Sequence, residues 1–169
     1  MQDMKETRET NETHKTDEHG ETFSTLSNRF WEKLKGGVEI VLATSDGMAV
    51  TARTVSAAAA GGKLCFITHG ESLKIAQMRK NANVSLCHGD IRMKGSARIA
   101  GSPKQQGNEC SIDALAKAFP DSVPIFSCIP GTVLVEITPV AGGFGTLNDG
   151  GIFTLDFETQ SARKLDIGV

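Results

Sequence analysis

The sequence predicts an α+β fold, mainly β: six or seven antiparallel strands closing, or nearly closing, into a barrel with two or three flanking helices. Three observations carry that expectation. Apolar runs of strand length recur along the chain and are joined by hairpin-type turns, of which Asp46-Gly47 is the strongest. From Ile91 to Ala100 the residues Ile91, Met93, Gly95, Ala97 and Ile99 alternate with Arg92, Lys94, Ser96 and Arg98, a period of two that buries one face. Helical spacing is confined to a few segments, and no internal repeat is visible.

Residues 1–22 hold seven acids and three bases, and apart from Met1 and Met4 nothing that could pack. Such a composition does not offset the entropy of ordering, so a mobile acidic arm is expected, with His14 and His19 in it, ahead of one domain over 23–169. The whole chain carries a net charge of −2, which leaves the domain mildly basic at +2. A helix is expected from Ser24 to Lys35, with Leu26, Phe30, Trp31 and Leu34 on one face and Gly36-Gly37 as its left-handed end.

Val38–Thr44 and Met48–Ala58 form the first hairpin, and Ala60-Gly61-Gly62-Lys63 turns the chain into a third strand ending near His69. A helix over 72–80 follows, with Leu73, Ile75, Ala76 and Met78 toward the core and Lys74, Gln77, Arg79 and Lys80 toward water. Asn81-Ala82-Asn83 ends it, and Val84–His88 and Ile91–Ala100 pair across Gly89-Asp90. Helical spacing resumes from Ser102 to about Pro124, carried by Ile112, Leu115, Ala116 and Phe119 and checked by Pro120. Thr132–Val140 reads as a strand interrupted by Pro139, with a bulge or bend at Gly142-Gly143. Phe144–Leu147 and Ile152–Phe157 make a last hairpin around Asn148-Asp149-Gly150-Gly151.

Composition narrows the function classes. No run of about 18 apolar residues exists, and the polar N-terminus lacks the apolar core of a secretory signal, so a cytoplasmic setting is expected. Cys65, Cys87, Cys110 and Cys128 are widely spaced, which fits free thiols. Near-neutral charge without a basic stripe argues against nucleic acid. Cys65 and His69 share a strand face, but Cys87 and His88 point to opposite faces, so four ligands do not converge and no metal site is expected.

The most informative stretch is residues 64–80. A buried strand, a break at Gly70 and a helix opening after Ser72 aim free backbone N–H groups at one point. Lys74 adds a cation where the helix dipole already favours an anion. If the second strand pairs with the third, Arg53 projects near Phe66–Thr68 and reaches the helix start. Arginine, lysine and serine together could hold a phosphate-sized dianion.

The runs VLATSDGMAVTARTV, KLCFITHGESLKIAQMRKNANVSL and IRMKGSARIAG, in that order and spacing, resemble the pyridoxamine 5′-phosphate oxidase-like FMN-binding split barrels, including the general-stress-protein branch. The resemblance covers roughly residues 25–145. It implies a split β-barrel, an obligate homodimer and two FMN sites at the subunit interface, with F420 or haem as the alternatives found on the same fold. Carried over by residue, it places Arg53, Thr54 and Val55 along the flavin and its ribityl chain. Phe66, Ile67, Thr68 and His69 would form the cofactor wall, Ser72 and Lys74 would bind the phosphate, and Lys94 would lie near the isoalloxazine edge.

Two departures narrow the expectation. Leu73 stands where many relatives have a basic residue, and Thr54-Val55-Ser56-Ala57 replaces the Leu-Leu-Lys type of run of the vitamin B6 oxidases, which argues against pyridoxamine phosphate as substrate. The chain has no tyrosine and no evident carboxylate pair, so no catalytic acid or base is assigned. The expected function is flavin-mediated hydride or electron transfer on an unidentified small molecule, with NAD(P)H as reductant. The alternative is a non-catalytic flavin- or haem-binding stress or sensor protein.

Overall fold

A computed structural model of the chain describes residues 22–146 and 151–165. The expected arm lies almost wholly outside the described residues, as does the turn over 147–150. The elements are α1 (Phe23–Glu32), β1 (Val38–Ser45), β2 (Val50–Ala60), β3 (Lys63–His69), α2 (Leu73–Lys80), β4 (Asn83–His88), β5 (Ile91–Gly101), α3 (Glu109–Ala118), α4 (Val123–Phe126), β6 (Thr132–Phe144), β7 (Ile152–Asp156) and β8 (Ser161–Leu165). None of the described helices is long and apolar enough to cross a membrane.

The strands form one antiparallel sheet in the order β3-β2-β1-β4-β5-β6-β7-β8, and a β3–β6 pairing closes the first six into a barrel. One long strand makes this possible. The first half of β6 pairs with β3 through Thr132–Ile137, while its second half, Ala141–Phe144, pairs with β7. Pro139 does not interrupt β6 as expected. It sits opposite Gly95 where the register slips by one, so Val140 bulges out and the missing proline N–H falls at an irregularity the ladder already has. Gly95 is required there, because a Cβ would stand 2.6 Å from the Thr138 carbonyl oxygen.

β8 is a strand that the sequence pattern does not predict. Its entry turn is set by Asp156, whose carboxylate accepts the Glu158 and Thr159 N–H groups, and by Gln160 at φ 51°. The helix expected over 102–124 is also shorter and broken. The Asn108 amide donates to the Ala100 and Ser102 carbonyls and holds 102–108 as a compact turn, so α3 starts only at Glu109. Phe119 ends α3 before Pro120, and α4 restarts with Pro124 in its first turn.

Two apolar clusters result. The barrel interior holds Ile40, Leu42, Leu64, Phe66, Leu86, Met93, Val135 and Ile137, sealed by Leu26, Phe30 and Leu34 of the first helix and by Ile75 and Met78 of α2. A smaller one lies outside the barrel wall, where Leu115 and Val123 cover Ala58, Cys65, Ala100 and Leu134. That second cluster places the α3–α4 segment beside the β2–β3 junction.

Candidate functional site: a cationic cleft where the barrel splits

β1 and β2 pair over eight residues, and β3 and β6 over six, but β2 and β3 pair only through Ala58–Ala60 and Lys63–Cys65. Beyond that short ladder the two strands part. A cavity of about 410 Å³ opens in the gap, lined by Arg53–Ser56 of β2, Ile67–His69 of β3, Lys74 of α2 and a wall from α3, α4 and Ile129. Its size is that of a small-molecule or cofactor site.

One end is cationic. Lys74 is half-buried and its Nζ donates to the Thr68 hydroxyl at 2.8 Å. Burial pulls the Lys74 ammonium below its ordinary pKa, and the nearby Arg53 guanidinium pulls it further. Burial also lowers the pKa of Arg53, which remains a cation. Among the described residues no carboxylate pairs with either side chain. Arg53 is held instead by neutral acceptors: its Nη1 donates to the Thr44 hydroxyl at 2.6 Å and to the Leu42 carbonyl at 3.4 Å, and its Nη2 to the Thr51 hydroxyl. The opposite end is apolar, formed by Leu115, Phe119, Val123, Phe126 and Ile129. Phe126 is 52% and Ile129 42% exposed, so apolar surface is left open to the cleft or its mouth.

Of the residues expected in the site, Arg53, Thr54, Val55, Ile67, Thr68, His69 and Lys74 all line this cavity. Phe66 does not. It is fully buried in the barrel core, because β3 alternates and its neighbours Ile67 and Cys65 take the other face. Lys94 lies on the exposed face of β5 and lines two other concavities, one with Thr44 and Val50, the other with Arg92 and Ile152. Ser72 stands at the N-cap position of α2, but its hydroxyl makes no capping bond; its Oγ is buried without a hydrogen-bond partner. The helix begins on its own backbone, with the Ile75 and Ala76 N–H groups donating to the Ser72 carbonyl.

His69 is exposed at the rim, and its Nδ1 accepts the Glu71 N–H at 3.3 Å. That leaves the proton of the neutral ring on Nε2, which faces Gly131, whose φ of +80° permits the close approach. Among the described residues no group of three or more His, Cys, Asp or Glu could hold a metal ion.

The helix faces of α2 differ from expectation. Leu73 is 60% exposed and Ala76 faces water, whereas Gln77 is only 2% exposed. The buried stripe is Ile75, Gln77 and Met78, with Lys74 half-buried beside it, and Gln77 enters it because its amide finds polar partners there. Thr44 and Thr51 donate to its Oε1 at 2.6 and 2.7 Å, and its Nε2 donates to the Ala49 carbonyl at 3.3 Å. Helix periodicity puts Gln77 toward water, and nothing in the sequence marks Thr44 and Thr51 as its partners. The helical wall was legible only as the apolar face of a helix.

No family model matches the sequence, and no curated protein does. Solved structures do match. General Stress Protein 26 from Bacillus anthracis has 20% identity and a TM-score of 0.55, covering 69% of this chain and 91% of its own. A pyridoxamine 5′-phosphate oxidase-related, FMN-binding protein from Nostoc punctiforme has 16% identity and a TM-score of 0.56, covering 86% and 95%. The haem storage protein HutZ from Vibrio cholerae has 12% identity and a TM-score of 0.56, covering 66% and 86%. The fold is the pyridoxamine 5′-phosphate oxidase-like split barrel. Among the described residues six strands close this split barrel, β7 and β8 extend it, and four helices flank it. The split is the parting of β2 from β3, and the cleft described above occupies it.

Proposed function

We propose that the chain is a cytoplasmic, homodimeric FMN-binding oxidoreductase, acting on a small molecule other than pyridoxamine phosphate. The observation that carries the reading is the pair Arg53 and Lys74: two partly buried cations with no carboxylate partner among the described residues, at one end of a cavity whose other end is apolar. Burying unpaired cations is costly unless a ligand supplies the counter-charge. A flavin mononucleotide has that shape of chemistry, a dianionic phosphate on a polar chain joined to a planar apolar ring. The Nostoc neighbour binds FMN, which supports the choice.

The residues fit the group. Arg53 and Lys74 would take the phosphate, with the orphaned Ser72 hydroxyl beside the start of the same helix. Thr54, Val55, Ile67 and Thr68 would flank the ribityl chain and ring, and Phe119 and Phe126 would exclude water from the ring. Bound flavin would supply the hydride or electron transfer. The protein's part is to bind, orient and dry the site, and the two cations stabilise negative charge in it. The exposed strip of Val41 and Val50, flanked by Ala43 and Ala52 on the same sheet face, supports burial against a second copy.

A second reading is a non-catalytic carrier or sensor. It draws support from the lining itself, where Arg53, His69 and Lys74 are the titratable side chains and no carboxylate, tyrosine or cysteine is present. HutZ stores haem, but His69 Nε2 faces Gly131 at the rim, which weighs against haem here. Absorbance of the purified protein separates the readings. A band near about 450 nm that bleaches with NAD(P)H and returns with air supports the oxidoreductase. A flavin that no nicotinamide reduces supports the carrier, and a Soret band supports haem and overturns the FMN assignment.

A further inference from the structure

We propose that Gln77 is a positioning residue that aims Arg53 at the anion, acting through two threonine hydroxyls whose hydrogen-bond direction is fixed at every link. The proposal rests on the reading of the cleft as an anion site. Arginine carries five N–H donors and no acceptor. Each hydroxyl that meets the guanidinium must therefore accept from it, Thr44 from Nη1 and Thr51 from Nη2. Each hydroxyl's own proton is then free to go onward, and both go to the same atom, Gln77 Oε1. The amide orientation follows, with Nε2 left to bond the Ala49 carbonyl just before β2.

Thr44 and Thr51 are direct cross-strand partners in the β1–β2 ladder, so the two relays start from one rigid rung. Thr44 is 1% and Gln77 2% exposed, which keeps water from substituting at those two members. With the Leu42 carbonyl included, three of the five donors of Arg53 are consumed. The N–H of Nε and the second proton of Nη2 remain, and these lie on one edge of the planar group. That edge is the fork that two oxygens of a phosphate accept together.

The choice of an amide has a consequence. A carboxylate at position 77 would hold the same two hydroxyls, but its charge would offset that of Arg53 and weaken the field at the ligand. The amide orients the guanidinium and leaves its full charge to the anion.

The test uses the full-length chain, the side-chain Nε–H resonance of Arg53 in ¹⁵N-labelled protein, and FMN affinity by fluorescence titration. Gln77→Met is expected to broaden or lose that resonance and to weaken FMN about tenfold, equivalent to one steady hydrogen-bonded charge. In an Arg53→Ala background the same substitution is expected to change affinity by less than about twofold, since its only route is through Arg53. Gln77→Glu is expected to keep the resonance sharp and still lose affinity. Thr51→Val, at a half-buried position, reports on the relay should Gln77→Met fail to fold, and is expected to show a smaller loss that also vanishes without Arg53. Equal losses in both backgrounds, or an unchanged resonance and affinity, would overturn the proposal. If FMN binds and is indifferent to Gln77 and Thr51, only this proposal falls. If the wild type binds neither FMN nor inorganic phosphate, the anion-site reading falls and takes the proposal with it.

Discussion

Two polar clusters flank the short β2–β3 ladder, and they partner their charged groups in opposite ways. On one side Lys63 and Arg98 both reach Glu136, at 2.9 and 2.7 Å, and Ser111 of α3 donates to its other oxygen. Glu136 is 5% exposed and faces Cys65 of β3 and Arg98 of β5 across the ladder, so the cluster ties three strands to a helix. On the other side Arg53 and Lys74 are half-buried and have only neutral partners. A cluster that carries its own counter-charge is complete within the fold. One that lacks it is, on the proposed reading, completed by a ligand, and that would separate a structural ion pair from a binding site built of the same residue types.

Breaking the open cluster should have the largest effect. The double variant Arg53→Ala/Lys74→Ala is expected to lose at least about a hundredfold in FMN affinity, since charge-assisted hydrogen bonds contribute on the order of 1.5–3 kcal/mol each. Its thermal melting should stay near that of the wild type, because removing uncompensated cations relieves strain in the apo fold. Unchanged flavin content after gel filtration would contradict the assignment.

Breaking the closed cluster should do the reverse. Glu136→Gln is expected to cost about 2 kcal/mol in urea unfolding, as loss of one partner leaves Lys63 and Arg98 without their carboxylate. FMN affinity should not change. Acid sharpens the same contrast. Burial pushes the Glu136 carboxyl up, but hydrogen bonds from Lys63, Arg98 and Ser111 outweigh it and hold it at about 2, against 4.5 in the unfolded chain. A depressed carboxylate stabilises the fold above the unfolded value, and that stability is lost as pH falls from about 4.5 toward 2. The pH dependence of unfolding in that window should therefore flatten in Glu136→Gln.

The smallest effect is a titration. Lys74 sits below its ordinary value in the ligand-free protein, so its ammonium should move upward when phosphate binds, followed by its side-chain NMR signal. A shift in Lys63 instead would place the anion at the wrong cluster.

The barrel and the two cations of the open cluster are legible in the chain, and the Glu136 cluster is not. Alternation in 91–99 and the Asp46-Gly47 turn lead to the barrel because period and turn chemistry are local properties. Arg53 and Lys74 stand out because each is a cation where its local element does not need one. Gln77 was assigned to water on helix periodicity, and its burial depends on two threonines 26 and 33 residues away. Phe66 was drawn into the site because a family segment was carried over whole, although strand alternation turns every second side chain inward. β8 was missed because Ser161–Leu165 is polar and alternates weakly, and it forms only by extending an existing edge. The helix expected over 102–124 is shorter for a similar reason: the Asn108 amide that delays its start bonds the Ala100 carbonyl at the end of the preceding strand.

The decisive measurement is the ratio of FMN to riboflavin affinity for the purified wild-type protein, since the two ligands differ only in the phosphate. A clamp formed by Arg53 and Lys74 should favour FMN by at least about a hundredfold, and the ratio should fall toward one in Arg53→Ala/Lys74→Ala. Equal affinity for the two in the wild type would contradict a phosphate held where β2 parts from β3.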